Sequence, residues 1–356
     1  MSALLIKSIH AQPISFRLNA PFITAQGQKA ETHNMLVTIV LTDGTVGYGE
    51  GSSSIAMPQE TADAMQRVIR ELIPELRAKP IDDYRELLQT CWRRQMFHPT
   101  AVAALECAVL DAYTRSHKQP LYKFLGGVKT EVQTDLTISV GEPNVVYRHA
   151  KAAWKKGFRH LKVKLAGDSV ARDMERLQAV HRAAPKAKLV ADGNQCMQIS
   201  QGLELARKIE KNKIPLVFLE QPFAKHDFRA MRQFRRQCAL PLFADESALS
   251  PADAHRLFEY EAADGINIKV AKSGLLAALD IIQMARRYKK RLAIGCMEES
   301  KIGLAASVHL ACGTGIFEWI DLDSVFLLEP SSLRGGFGMK GPKLSVKGIR
   351  AGIGIA

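Results

Sequence analysis

Three short apolar runs between residues 160 and 220 decide the fold class: HLKVKL (160–165), KLVAD (188–192) and LVFLE (216–220). Each run has the length of one strand, and the residues between consecutive runs place apolar side chains at helical spacing. Strands that are apolar throughout are typical of a parallel sheet covered by helices on both faces. This stretch therefore predicts consecutive strand–helix–strand units.

The same pattern continues on both sides of this stretch. Five further strand-like runs lie at residues 136–140, 242–245, 265–269, 292–297 and 317–322. Helical segments such as 145–156 and 169–184 separate the runs. Eight strands alternating with helices predict an α/β fold of the (β/α)8 barrel type over residues 126–322.

Residues 1–125 have a different pattern and predict an α+β capping domain. Its expected elements are three strands, with the polar stretch 24–34 and the turn 43–44 between them, and three helices: strands 6–16, 35–41 and 46–50, and helices 60–76, 82–95 and 101–116. Residues 323–356 are rich in glycine and contain one strand-like run, 343–346. We expect this last segment to pack back on the cap.

The composition of the 356-residue chain, 47% apolar and 24% charged, is that of a soluble globular protein. No apolar run reaches the roughly 18 residues that a membrane span needs, and residues 1–15 do not have the pattern of a secretion signal. The six cysteines are scattered without a CxxC pair, which indicates reduced thiols. We therefore expect a cytoplasmic protein that binds no membrane.

The formal charge of +13 raises the question of an anionic partner. The basic runs 155–156, 232–236 and 286–291 fall in segments that we interpret as solvent-facing amphipathic helices. Aromatic residues do not alternate with them, as a nucleic-acid stacking surface requires. We expect no nucleic-acid partner, and a non-enzymatic protein that binds anions or nucleic acid is the distant alternative.

Acidic residues end three successive barrel strands: Asp192, Glu220 and Asp245. These side chains must converge, because neighbouring strands are only about 4.8 Å apart and active sites of such barrels lie at the carboxyl ends of the strands. Oxygen ligands without His or Cys suit a hard cation, and Mg²⁺ keeps coordination positions free for a substrate. The sequence predicts one Mg²⁺ per subunit.

Lysines end the strands on either side of this acidic group. Lys164 follows the second strand and Lys269 the sixth, so the two lie diametrically opposite in a ring of eight. Bases on opposite faces of one carbon are what inversion of a stereocentre requires, and the metal would stabilise the enediolate. We expect the dication and the other lysines to lower a lysine's pKa towards neutrality.

Other motifs point to no competing chemistry. Residues 47–51 (GYGEG) and 335–338 (GGFG) lack the strand-to-helix context of a dinucleotide site and are interpreted as loops. There is no P-loop, HExxH or GxSxG motif. His309, alone within a helical pattern, is interpreted as structural.

With these motifs, the whole chain resembles the enolase superfamily, specifically its muconate-lactonizing-enzyme subgroup. The segments that carry the resemblance are KVK (162–164), DGN (192–194), EQP (220–222), DES (245–247) and NIKVAK (267–272). The resemblance implies that Asp192, Glu220 and Asp245 bind magnesium and that Lys164 and Lys269 are the acid/base pair. It also implies that Lys162 assists electrostatically, that the barrel is of the modified enolase type, and that the protein is a homo-oligomer.

Within that subgroup, residues 295–300 (GCMEES) and 321–323 (DLD) look like a dipeptide epimerase. Asp321 and Asp323 suit the free ammonium group of a dipeptide, which prefers paired carboxylates. The resemblance also places Thr137 and Met297 in the pocket. The alternative is an N-acylamino-acid racemase or o-succinylbenzoate synthase-like enzyme, whose substrates have no ammonium group.

The residues that select the substrate side chain leave several interpretations open. The resemblance implies that enzymes acting on Ala-Glu carry an arginine in the cap loop, whereas residues 24–29 contain Gln26 and Lys29 instead. Lys29 could replace the arginine, or the second side chain is not acidic. Glu298 and Glu50 could favour a cationic or polar side chain, or Glu298 points into the helix layer.

Overall fold

The cap contains an antiparallel sheet and four helices. The computed structural model describes residues 3–330 and 334–355 of the chain. Up to the first barrel strand, the elements are β1 (Ile6–Thr24), β2 (Gly27–Leu41), β3 (Val46–Gly51), α1 (Ala62–Leu76), a 3-10 turn (Ile81–Asp83), α2 (Tyr84–Arg94), α3 (Pro99–Ser116), α4 (Leu121–Phe124) and β4 (Glu131–Gln133). The first three strands pair in the order β1-β2-β3.

The hairpin of β1 and β2 is longer than the sequence predicts. The polar stretch 24–34 was expected to separate two shorter strands, but Thr24 pairs with Gly27 and the ladder continues to the end of β2. Gln28, Glu31 and His33 of this stretch are exposed, whereas Thr32 and Asn34 are buried. Their polarity does not disturb the pairing, because the ladder uses only backbone groups.

The glycines of residues 47–51 lie in a strand, which contradicts their interpretation as a loop. Gly47, Gly49 and Gly51 face α3, and an added Cβ at Gly49 would lie 2.0 Å from the Ala104 carbonyl oxygen. Alternate residues of a strand share one face, so the three glycines form a groove for the helix. The sheet and α3 can approach closely only because these side chains are absent.

Residues 136–321 form the predicted barrel. Its eight parallel strands are β5 (Leu136–Ile138), β6 (His160–Lys164), β7 (Lys188–Asp192), β8 (Leu216–Glu220), β9 (Leu242–Ala244), β10 (Gly265–Lys269), β11 (Arg291–Gly295) and β12 (Trp319–Asp321). They pair in sequence order from β5 to β12. The Asp135 backbone N–H donates to the Ile320 carbonyl at 2.9 Å and links the first strand to the last. The predicted barrel with an N-terminal cap is confirmed.

Helices follow the barrel strands and cover them. They are α5 (Pro143–Lys155), α6 (Val170–Ala183), α7 (Ile199–Lys211), α8 (Phe228–Gln237), α9 (Pro251–Glu259), α10 (Val270–Arg287), α11 (Lys301–Thr314) and α12 (Ser324–Leu327). The predicted helices 145–156 and 169–184 correspond to α5 and α6 within two residues at each end. Within residues 3–330 and 334–355, no helix is both long and apolar enough to cross a membrane.

The C-terminal segment contacts both parts of the molecule. Its strands β13 (Gly338–Lys340) and β14 (Lys343–Ser345) form a small sheet with β4. The Ile353 backbone N–H donates to Asp111 of α3 at 2.7 Å. Residues 331–333 and 356 of the segment lie outside the described residues. The division into residues 1–125, 126–322 and 323–356 stays a prediction.

Candidate active site

Three carboxylates meet at the carboxyl ends of the central strands. Asp192 and Glu220 are the last residues of β7 and β8, and Asp245 directly follows β9. One oxygen from each of the three lies within 4.8 Å of the others, and all three residues are buried. We call these three residues the carboxylate cluster.

The turns after β7 and β8 hold these carboxylates in place by packing on each other. A Cβ at Gly193 would lie 2.7 Å from the Pro222 Cα, so only glycine allows this approach. Asn194 and Gln221 have left-handed backbone angles, with φ of 40° and 32°. The Gln221 side-chain oxygen accepts the backbone N–H of Asp245 at 2.9 Å, which fixes the third turn.

Lys164 and Lys269 reach the carboxylate cluster from its two ends. Lys164 Nζ lies 2.6 Å from Asp192 Oδ2, and Lys269 Nζ lies 2.8 Å from Asp245 Oδ2. Their strands, β6 and β10, are four positions apart in the eight-stranded barrel. Both side chains line the same cavity at the barrel mouth. The two amines therefore reach one cavity from strands at opposite positions of the ring.

The pKa of Lys269 differs from the expectation drawn from the sequence. Burial lowers this pKa, but the carboxylates of Asp245 and Glu220 raise it by more, so it lies above its ordinary value in the protein alone. The expectation of a lowered pKa was based on a nearby dication and on neighbouring lysines. Direct contact between Lys269 and Asp245 has the opposite effect.

The carboxylate cluster fits a divalent cation. Burial raises the pKa of Glu220 to about 8 despite the contact with Lys162, so the protein's own amines do not fully stabilise its charge. Burial alone would raise the pKa of Asp192 too, but Lys164 and Lys162 hold it at about 2. Three oxygen donors from three rigid strands match the preference of a hard cation.

Lys162 lies beneath the carboxylate cluster as a fully buried charge. Its Nζ lies 2.9 Å from Glu220, 3.1 Å from Asp192 and 2.8 Å from Asp321. Burial lowers the pKa of Lys162, but Asp321 and Glu220 outweigh this effect and keep it well above its usual range. Lys162 therefore stays positively charged and links the two acidic parts of the site.

A second acidic group lies at the end of β12, the strand opposite β8 in the ring. Asp321 and Asp323 line the cavity together with Thr137, whose backbone N–H donates to Asp323 at 2.6 Å. Burial, with a further contribution from Asp321, raises the pKa of Asp323 to about 6. The proximity of two carboxylates makes this side of the cavity attractive to a cationic group.

The cavity between these groups is closed partly by the cap. It encloses about 590 Å³, including space open to solvent. Phe22, Gln26 and Ile55 from the cap and Met297 from the barrel line it. Gln26 Nε2 also reaches the Asn194 carbonyl at 3.3 Å, so the hairpin tip contacts the turn after β7.

Of the three residues considered for side-chain selection, Glu298 lines the cavity, whereas Lys29 and Glu50 do not. The Lys29 ammonium lies behind this lining residue, 2.6 Å from Glu298 Oε2. Glu298 lines the cavity and does not enter the helix layer. Glu50 is buried against the start of α11, where it accepts the backbone N–H groups of Ser300 at 2.8 Å and Gly303 at 3.0 Å. Glu50 therefore makes a structural contact and does not line the cavity.

Four side chains that the sequence did not assign to the site also surround the carboxylate cluster. Lys272 Nζ lies 2.6 Å from Asp245 Oδ1, and burial lowers its pKa. Asn267 donates to Glu220 at 2.9 Å, and Asn194 donates to Glu246 at 3.3 Å. The signal was available for all four, because Asn194, Glu246, Asn267 and Lys272 stand in the DGN, DES and NIKVAK segments.

A barrel that presents three carboxylates between two opposed lysines fits one class of enzymes. These enzymes bind a divalent cation and move a proton at a carbon next to a carboxylate.

Comparisons with known proteins give the family. The family model described as Enolase C-terminal domain-like matches residues 145–356, and the Mandelate racemase / muconate lactonizing enzyme, N-terminal domain matches residues 9–126. The chain belongs to the mandelate racemase/muconate lactonizing enzyme family of the enolase superfamily.

Several relatives are similar over nearly their whole length. The aromatic dipeptide epimerase of Herpetosiphon aurantiacus is 36% identical over 350 residues, which is 98% of each protein. The L-Ala-D/L-Glu epimerase of Thermotoga maritima is 33% identical, over 93% of this chain and 96% of that enzyme. The structure of the dipeptide epimerase from Enterococcus faecalis complexed with Mg and L-Leu-L-Tyr is 30% identical, with a TM-score of 0.94 and 99% of both chains covered.

Proposed function

We propose that this protein is a magnesium-dependent dipeptide epimerase that inverts the α-carbon of the C-terminal residue. The observation that carries the proposal is the approach of Lys164 and Lys269 to the carboxylate cluster from its two ends. Relatives named as dipeptide epimerases, one of them with Mg and a dipeptide in its structure, support it.

The two lysines perform the proton transfers. One amine removes the α-proton from one face of the carbon, and the ammonium on the other face delivers a proton to the resulting enediolate. The roles of Lys164 and Lys269 exchange in the reverse direction. Asp192, Glu220 and Asp245 would hold the magnesium ion, which supplies positive charge for the substrate carboxylate when bound. Lys162 adds a fixed positive charge from below.

The ends of the substrate are bound on opposite sides of the cavity. Its carboxylate lies towards β8, on the side of the carboxylate cluster. Its ammonium lies at Asp321 and Asp323, at the end of β12, the strand opposite β8 in the ring. The α-carbon of the C-terminal residue is thereby positioned between the two lysines, so binding orients it for reaction.

The experiment is hydrogen exchange in D₂O with a library of L,L-dipeptides, followed by mass spectrometry and chiral separation. We expect incorporation of one deuterium per molecule and formation of the L,D product with Mg²⁺, and neither after treatment with a chelator. Incubation of N-succinyl amino acids in parallel tests the alternative racemase activity. Faster exchange of those compounds, or no exchange of any dipeptide with Mg²⁺, would contradict the proposal.

A further inference from the structure

An ion pair joins the cap to the barrel at the wall of the cavity. Lys29 Nζ lies 2.6 Å from Glu298 Oε2, and only 14% and 11% of these side chains are exposed. The Lys29 ammonium also donates a hydrogen bond to the Ser53 carbonyl at 2.9 Å. Electrostatic attraction in such a partly desolvated place is stronger than on an open surface.

The backbone of Glu298 is fixed from the cap. Its carbonyl accepts hydrogen bonds from Asn34 Nδ2 at 2.9 Å and Ser52 Oγ at 3.0 Å, and both donor residues are buried. The Glu298 side chain therefore leaves from a defined point on the cavity wall. At this point on the wall, the ammonium of Lys29, a residue of β2, balances the charge of the Glu298 carboxylate.

The direction of the substrate's side chain follows from the strand order. The inference rests on the proposed function, which orients the carboxylate towards β8, the amide nitrogen towards β12, and the two lysines along the axis from β6 to β10. In the planar intermediate, the carboxylate, the amide nitrogen and the side chain all lie in one plane around the α-carbon. The two lysines lie on either side of this plane, so the plane contains both the β8–β12 direction and the barrel axis. Since the carboxylate and the nitrogen occupy the β8–β12 direction, the side chain points along the barrel axis. It must point towards the cap, because side chains such as Lys162 fill the barrel interior below.

We propose that Lys29 and Glu298 cancel each other's charge at this wall, and that the absence of a net charge there makes the enzyme selective for an uncharged, apolar side chain on the C-terminal residue. The cavity lining includes the apolar side chains of Phe22, Ile55 and Leu327, beside the polar side chains of Thr24, Gln26 and Ser54. An acidic side chain competes with Glu298 for Lys29, and a basic side chain competes with Lys29 for Glu298. Either one leaves a charge partly buried without a partner, which is unfavourable.

The test is a double-mutant cycle measured on three substrates that differ only in this side chain: L-Ala-L-Leu, L-Ala-L-Glu and L-Ala-L-Lys. The variants are Glu298→Gln, Lys29→Gln and the double variant, each assayed for kcat/KM of epimerisation with Mg²⁺. Glu318→Gln is the matched control, because it removes an ion pair with Arg291 at the other end of the barrel strands. A smaller fraction of folded protein lowers kcat/KM for all three substrates equally, so it does not change the ratio of kcat/KM between two substrates on the same variant.

We expect the unaltered enzyme and the Glu318→Gln control to prefer the leucine substrate. Glu298→Gln leaves Lys29 without its partner and should raise the ratio of kcat/KM for L-Ala-L-Glu to that for L-Ala-L-Leu about tenfold. Lys29→Gln leaves Glu298 without its partner and should raise the corresponding ratio of L-Ala-L-Lys to L-Ala-L-Leu by a similar factor. The double variant should return to the original preference. Unchanged ratios in both single variants, or a preference of the unaltered enzyme for a charged side chain, overturn this inference and leave the proposed function standing. Failure of every dipeptide to epimerise overturns both.

Discussion

At the scale of single residues, Asp323 separates the proposed function from its alternative. Its carboxylate accepts the Thr137 backbone N–H at 2.6 Å and lies in the cavity next to Asp321. The ammonium group of a dipeptide is the feature that needs this pair of charges. An N-acylated amino acid has no such group and gains nothing from the second carboxylate.

Replacing Asp323 by Asn should lower kcat/KM for L,L-dipeptides by about a hundredfold, since it weakens a buried charge pair worth about 2–3 kcal/mol. Asn keeps an oxygen that can accept the Thr137 N–H, so the fold should persist. Steady-state kinetics measure the loss, and thermal unfolding checks the fold. As a control, inhibition by an N-acetylated dipeptide should not weaken; an equal loss for the two compounds would show that Asp323 does not recognise the ammonium.

The residues that the sequence could reveal are those tied to strand ends. Asp192, Glu220 and Asp245 each end an apolar run, so their convergence follows from the barrel alone. The pairing of Lys29 with Glu298 could not be predicted, because it joins a cap hairpin to a barrel loop far away in the sequence. Sequence patterns within one strand or helix do not indicate contacts between residues so far apart in the chain.

At the scale of secondary structure, the glycines of β3 control how the cap is assembled. Replacing Gly49 by Ala places a Cβ against the Ala104 carbonyl and should lower the free energy of unfolding by about 2 kcal/mol or more. Gly338→Ala is the matched control, because a Cβ there would lie 3.8 Å from its nearest neighbour, the Ser345 oxygen. Chemical denaturation measures both variants, and equal stabilities would contradict the close packing.

His309 of α11 links two other segments through its neutral ring. Nδ1 accepts the Tyr122 backbone N–H at 3.0 Å, and Nε2 lies 3.2 Å from the Gly336 carbonyl to which it donates. Burial lowers the pKa of His309 to about 4. Its ordinary value, which the unfolded chain retains, is near 6.5. The folded chain therefore binds fewer protons between these pH values, and stability must fall as the pH falls through this range.

The expected loss from His309 between pH 6.5 and pH 4 is about 3 kcal/mol. It is measured as the difference in free energy of unfolding between the unaltered protein and His309→Gln, whose side chain does not titrate. As the pH is lowered, the free energy of unfolding of the unaltered protein should fall relative to that of His309→Gln. A difference that stays constant with pH would show that the ring is not held neutral.

At the scale of the whole molecule, the barrel and cap were predictable because each strand and helix has its own apolar period. The eight strand runs lie close to the observed strands, although β1 and β2 are longer than predicted because their polar residues pair through the backbone. The contacts between cap and barrel were not predictable. Phe22 and Ile55 enter the cavity from loops and strand ends whose position depends on the complete fold.

The opposed arrangement of Lys164 and Lys269 is the central feature of the site, because inversion needs a base on each face of the carbon. The most direct measurement is α-hydrogen exchange in D₂O by Lys164→Ala and Lys269→Ala, each incubated separately with an L,L-dipeptide and its L,D epimer. We predict that neither variant epimerises, that each still exchanges one epimer, and that the two variants exchange opposite epimers. Exchange of the same epimer by both variants, or epimerisation at the original rate by either one, would contradict the account.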